Sequence, residues 1–189
     1  MKANQAEDLC YTYEDGTVAL DHITFAAEQG KVTGILGANG AGKSTLFLSL
    51  NGVLTPKSGK VLLGGQPVRY DKKGLLELRR RVGIVFQDPD DQLFSADVYR
   101  DVSFGGVNLG LEPEEVRRRV EEALERTGTS ALRDRPTHAL SYGQKKRVAI
   151  AGVLVMEPEV LILDEPTAGL DPQGVSDIMR LLTRLRDEL

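Results

Sequence analysis

Two hydrophobic rhythms alternate along the chain. Residues 9–13 read as a strand, and Glu14-Asp15-Gly16-Thr17 as a turn with Asp-Gly at its centre. Residues 19–27 alternate, with Leu20, Ile23 and Phe25 roughly on one face, so the opening predicts a small antiparallel β layer. After the turn at 28–30, residues 31–36 read as a buried strand and 46–50 as the body of a helix. A short strand at 60–63, a helix at 73–81 and a buried strand at 82–86 follow. The arginines Arg79, Arg80 and Arg81 are expected on a solvated face. From 97 to 128 the rhythm is helical: Val116, Val120, Ala123 and Leu124 share a face, Pro113 suits a helix start and Gly128 a helix end. Ser141 is a good N-cap for a helix over 145–155. Residues 160–165 give the strongest buried-strand signal, and 174–189 close the chain with an apolar stripe at Val175, Ile178, Leu182, Leu185 and Leu189.

Between the strand at 31–36 and the helix at 46–50 lies Gly37-Ala38-Asn39-Gly40-Ala41-Gly42-Lys43-Ser44-Thr45, which fits G-x-x-x-x-G-K-[ST]. Strand, glycine-rich turn and helix in that order aim backbone N–H groups and a helix N-terminus at an anion. Lys43 would reach the β- and γ-phosphates of a nucleotide, and the Ser44 hydroxyl would hold Mg²⁺. The strand at 160–165 stays apolar until Asp164 and Glu165 at its C-terminal end. Beside a phosphate loop such a pair divides the work, Asp164 holding Mg²⁺ and Glu165 polarising the attacking water. Gln87, at the end of another strand, would touch the metal or that water. The helix N-terminus at Ser141, Tyr142, Gly143 and Gln144 offers a second anion site, or is an ordinary capped helix. Tyr13 either stacks on a nucleobase or is a half-buried strand tyrosine.

The chain has 189 residues, 28% of them charged, and a formal net charge of −4, which argues against a nucleic-acid partner held through phosphates. Cys10 is the only cysteine, expected as a small buried hydrophobe beside Leu9, and it allows no internal disulfide. His22 and His138 carry no assigned function, and no His/Cys spacing suggests zinc. Residues 1–8 lack the apolar stretch of a signal peptide, and no apolar run approaches a membrane span.

Together these motifs resemble the ATP-binding cassette (ABC) ATPases of transporters, over nearly the whole chain. Residues 37–45 look like that family's Walker A, 160–165 its Walker B with the catalytic glutamate, Gln87 its Q-loop and Tyr13 its adenine-stacking aromatic. Ala168-Gly169-Leu170-Asp171 looks like the D-loop, and Leu140-Ser141-Tyr142-Gly143-Gln144 like the signature motif, with Tyr142 where glycine is more usual. The resemblance implies an α/β P-loop NTPase with an antiparallel β layer and a helical subdomain. It implies one domain over 1–189, with 1–88 and 156–189 as nucleotide-binding core and 89–155 as the helical subdomain. It implies ATP and Mg²⁺ as cofactors. It also implies a second cassette packed head to tail, homomeric or heteromeric, whose Ser141, Gly143 and Gln144 close on the first chain's nucleotide.

Residues 86–94 and 145–152 look most like energy-coupling-factor ATPases of the cobalt/nickel uptake branch. That implies a transmembrane coupling protein, a substrate-binding membrane subunit and a place on the cytoplasmic face of the membrane. Other readings are import of another micronutrient such as a vitamin, a soluble cassette switch, or a non-hydrolysing nucleotide-binding module. The family has a further strand ending in a histidine after the last helix. The chain is therefore expected to be a C-terminally truncated cassette that binds ATP but turns it over poorly.

Overall fold

The computed structural model describes residues 2–188, which form two compact units, 2–82 and 83–188. The first unit is built on an antiparallel sheet of β1 (Lys2–Thr12), β2 (Val18–Glu28), β3 (Ser58–Leu63) and β4 (Gln66–Pro67) in the order β2-β1-β3-β4. The expected β layer is there, and β1 is longer than its apolar run, starting at Lys2. That extension is hidden by polarity: Asn4 and Gln5 are buried strand residues, and the Asn4 amide donates to the Leu50 carbonyl at 3.4 Å.

The parity breaks in both strands are β-bulges. Ala6 pairs with Phe25, Leu9 with Ile23 and Tyr11 with Leu20, so one extra residue sits on β1 before Leu9 and one on β2 before Ile23. Asp8 (φ 53°) and His22 (φ 50°) take up the bulges in left-handed backbone. This overturns one expectation. Leu9 is fully buried, but Cys10 turns outward to intermediate exposure.

Helix α1 (Lys43–Leu50) follows the glycine loop, and α2 (Lys72–Arg81) starts at Asp71, whose carboxylate accepts from the Gly74 N–H at 2.8 Å. Arg79 and Arg80 are exposed as expected and Arg81 is of intermediate exposure, and Arg79 also donates to the Gly52 carbonyl at 2.9 Å. Residues 31–36, expected as a buried strand, form no strand: Val32 and Leu36 are 75% and 96% exposed. A continuous apolar run is buried only where a sheet supplies neighbours on both sides, and the β2-β1-β3-β4 sheet does not include it.

β5 (Val82–Val85) leads from the first unit into the second and pairs with β6 (Val160–Leu163). Around this pair gather α3 (Val98–Asn108), α4 (Pro113–Thr127), α5 (Tyr142–Leu154) and α6 (Pro172–Glu188). One hydrophobic core runs through Val98, Val102, Val120, Leu124, Val148, Ile150, Leu154, Ile178 and Leu185. α4 is bounded as expected, with Pro113 at its first turn and Gly128 as a left-handed C-cap (φ 65°). α5 is buried almost all round, which is why its sequence shows little amphipathic contrast. Among the described residues, no helix is long and apolar enough to cross a membrane.

Candidate nucleotide site

In the first unit the phosphate loop is an exposed, irregular turn that becomes helical at Lys43. Gly40 (φ 80°) and Gly42 (φ 86°) are left-handed. Gly42 has a second constraint: a Cβ there would lie 2.3 Å from the Ala19 carbonyl oxygen of β2, so any larger residue would collide with backbone. The loop curls around its own lysine, and the Lys43 ammonium donates to the Gly37 and Ala38 carbonyls at 2.8 and 3.1 Å. An ammonium gathered this way stands where phosphate oxygens would accept from it, with the first N–H groups of α1 beside it.

Tyr13, just beyond β1, is 39% exposed. Its hydroxyl is 2.9 Å from Thr45 Oγ1, and its ring meets Tyr11 edge-on at 5.1 Å. The tyrosine is therefore tied to the first turn of α1 at one end and open at the other. Thr45 itself is buried, while Ser44 beside it is exposed.

The second unit carries the carboxylates. The Asp164 N–H donates to the Val85 carbonyl at 3.0 Å, extending the β5–β6 pairing by one residue and leaving the Asp164 side chain buried. Glu165 is exposed and left-handed (φ 43°), so the chain turns sharply where the apolar strand ends. Its carbonyl accepts from the Ala168 N–H at 3.0 Å and from the Lys146 ammonium at 3.0 Å.

Sequence reasoning missed Lys146. It is only 3% exposed, and burial pushes its pKa below the ordinary lysine value against the pull of Asp88, Glu165 and Asp164. Its Nζ lies 5.5 Å over the Tyr142 ring, and the Tyr142 hydroxyl donates to the Gln87 carbonyl at 3.4 Å. The Tyr142 ring also lies against Gly169. Gln87 is exposed. Tyr142, the one departure in the signature-like run, thus joins the loops at 87 and 169 to the start of α5. Only the juxtaposition in space reveals this, since the contacts join residues 19 and 55 positions apart in the chain.

Ser141 caps α5 in a full capping box. Its hydroxyl accepts from the Gln144 N–H at 3.3 Å, and the Gln144 side-chain oxygen accepts from the Ser141 N–H at 2.9 Å. A cleft of about 440 Å³ opens here, lined by Ser141, Gly143, Gln144, Arg147, Asp171 and Gln173 among others, with the N-terminal ends of both α5 and α6 at its wall. Two helix N-termini and Arg147 face this concavity, together with the carboxylates of Asp171 and Asp177. The acidic loop after Gln87 is ordered rather than merely solvated. Asp88 caps a 3₁₀ turn over Pro89–Asp91, Lys145 pairs with Asp90, and the Gln92 side chain accepts from the Phe86 N–H at 3.0 Å. Buried Asp101 accepts from the N–H groups of Phe94 and Ser95 at 2.9 and 2.7 Å, holding the end of that loop.

Comparison with known proteins gives the family. The family profile described as ABC transporter matches residues 20–168. The energy-coupling factor transporter ATP-binding protein EcfA3 of Clostridium perfringens is 62% identical over 185 residues, covering 98% of this chain and 65% of that protein. An EcfA of Methanocaldococcus jannaschii is 57% identical over 178 residues, covering 94% of this chain and 64% of its own length. The chain thus spans about 65% of the length of such curated relatives. Among solved structures, cbiO1 of C. perfringens, part of the ABC transporter complex cbiONQ, superposes with a TM-score of 0.89 at 61% identity, covering 100% of this chain and 75% of that one. The ATP-binding cassette MJ0796, a dimer in a post-hydrolysis state bound to ADP and Pi, superposes with a TM-score of 0.86 at 27% identity, covering 98% and 83%. With its glycine loop, its strand-end carboxylates and its capped signature-like helix inside the matched span or adjoining it, this chain belongs to the ABC transporter family.

Proposed function

We propose that this chain is the ATP-binding and ATP-hydrolysing part of an uptake transporter of the energy-coupling-factor type. The observation that carries the reading is the phosphate loop: left-handed Gly40 and Gly42, the second fitted against β2, deliver Lys43 and the N-terminus of α1 to one anion site. In this reading the nucleotide's phosphates replace the Gly37 and Ala38 carbonyls around Lys43, and the open side of Tyr13 takes the adenine. Ala38, Asn39 and Ala41 supply backbone N–H groups, and Thr45 ties the loop to Tyr13. Mg²⁺ fits the donors assigned to it, since Ser44, Gln87 and Asp164 all offer hard oxygen ligands. Bound there, the ion would neutralise charge on the β- and γ-phosphates. Glu165 orients the attacking water and takes up its proton.

Ser141, Gly143 and Gln144 serve the nucleotide of a second cassette, whose own capped helix serves this one. The open cleft beside them, with the N-terminus of α5 and Arg147 on its wall, supports this role. Residues 1–88 and 156–189 make the nucleotide-binding core and 89–155 the helical subdomain of a single cassette. The exposed aromatic pair Phe94–Phe104, with ring centres 4.7 Å apart, and exposed Val107 supply an apolar face for a transmembrane coupling protein. In this reading the chain works at the cytoplasmic face of the membrane, with a substrate-binding membrane subunit beyond the coupling protein. The resemblance of residues 86–94 and 145–152 to the cobalt/nickel uptake branch favours cobalt or nickel as the cargo.

Fluorescent-ATP titration tests the core of this reading. Lys43→Ala should weaken binding about 10- to 100-fold, as expected for a lost charge-assisted contact to phosphate. Equal affinity in the variant would remove the phosphate loop from the account.

A further inference from the structure

The two β-bulges bring a second constellation together, on the sheet of the first unit. Cys10 Sγ, a carboxylate oxygen of Asp21 and a ring nitrogen of His22 all lie within 4.8 Å of one another. The arrangement is more ordered than proximity alone. Asp8 Oδ1 sits 2.7 Å from His22 Nδ1, and in the neutral tautomer with its proton on Nδ1 the carboxylate accepts that proton and Nε2 keeps its lone pair. Nε2 faces Asp21 Oδ1 at 3.8 Å, too far for a hydrogen bond. With metal–donor distances of about 2.0–2.2 Å, two such donors on one tetrahedral ion stand about 3.4 Å apart, so a small closure seats both. The His22 backbone N–H donates to Cys10 Sγ at 3.3 Å, the kind of support that steadies a metal thiolate from its outer side.

We propose that Cys10, Asp21 and His22 form a binding site for a borderline divalent transition-metal cation, with Asp8 as the positioning residue that orients the imidazole. Sulfur, nitrogen and oxygen donors in one set select zinc, cobalt or nickel over magnesium, so this site differs in chemistry from a nucleotide's Mg²⁺. Entry is open, with the His22 and Asp21 side chains 70% and 80% exposed. The backbone is shaped around the cluster. Asp8 and His22 both adopt left-handed angles that glycine would take more cheaply. The bulge at Asp8 presses so closely on β3 that a Cβ at Gly59 would lie 2.3 Å from the Asp8 carbonyl oxygen. On binding, the Cys10 thiol gives up its proton, now directed toward the Asp8 carbonyl at 3.8 Å, and the ion takes its place. The proposal does not rest on the ATPase reading.

Cobalt titration of the whole chain, with a non-thiol reductant and no nucleotide, tests the proposal. One equivalent of Co²⁺ should produce a thiolate-to-cobalt charge-transfer band that excess Mg²⁺ does not bleach and equimolar Zn²⁺ does. Cys10→Ser should abolish the band, His22→Gln should weaken binding at least about 10-fold, and Asp8→Asn should weaken it about 10-fold through the orienting bond. Circular dichroism checks that each exposed-site variant keeps its fold, and Asp21→Asn gives an independent ligand deletion. Absence of the band in the wild-type chain overturns the proposal. So does a band that survives Cys10→Ser, or cobalt affinity unchanged in both His22→Gln and Asp21→Asn.

Discussion

A lysine at 3% exposure has to be held by acceptors, because burying an ammonium without them is costly. Lys146 meets that cost at the carbonyl of Glu165, the residue assigned to orient water. The left-handed backbone at Glu165 costs on the order of 1 kcal/mol, and the Lys146 bond offsets part of it. Lys146→Met should therefore lower ATP turnover about 10-fold or more while ATP affinity changes less than about 3-fold, because the phosphate contacts lie in another part of the chain. Parallel nucleotide titrations and steady-state rates measure the two separately, and affinity falling in step with turnover would make Lys146 a general structural residue instead. At the same scale, Gly42→Ala places a methyl against the Ala19 carbonyl in a left-handed backbone. It should destabilise the first unit by roughly 2–4 kcal/mol, read as a lowered Tm in thermal unfolding.

At the scale of elements, α4 shows how surface charge acts. Arg118 and Arg119 hydrogen-bond the Glu115 carboxylate and hold its pKa at about 2, below the ordinary 4.5. A folded pKa below the unfolded one gives stability that is present above about pH 4.5 and is lost as the pH falls toward 2. Glu115→Gln should flatten that part of the acid-unfolding curve by lowering stability modestly above about pH 4.5 while changing little near pH 2, the loss kept small because Glu115 is solvent-screened. An unchanged acid limb in denaturant melts between pH 2 and 5 would show that the pairing has no energetic weight.

The helical elements were legible in sequence because their ends carry local chemistry. Pro113 and Gly128 bound α4, and the Ser141 and Gln144 spacing is a capping box. The start of β1 was not legible, because buried Asn4 and Gln5 look like a polar terminus. Residues 31–36 misled in the other direction. Their apolar run reports a preference for burial, whereas a strand needs a partner edge that sequence alone does not display. Cys10 was misread for a subtler reason. A bulge one residue upstream reverses which neighbour faces inward, so Leu9 goes in and Cys10 goes out. Within the candidate site the motifs identified the loop and strand-end residues. Lys146 and the role of Tyr142 emerged only from contacts over 19 and 55 positions of chain.

For the whole molecule, the account holds that one chain carries two halves of different sites. In the proposed reading the glycine loop would hold a nucleotide, and the capped end of α5 would serve the nucleotide of another cassette. ATP is then the ligand that favours the paired state, since it binds that state with more contacts. Hydrolysis would then remove the γ-phosphate and release the pair. Light scattering of Glu165→Gln with ATP and Mg²⁺ measures this most directly. The account predicts that mass doubles with ATP and stays single with ADP, and that Lys43→Ala introduced alongside abolishes the doubling. A Glu165→Gln chain that binds ATP yet stays monomeric at every concentration, also when extended to the full length of its relatives, would contradict it.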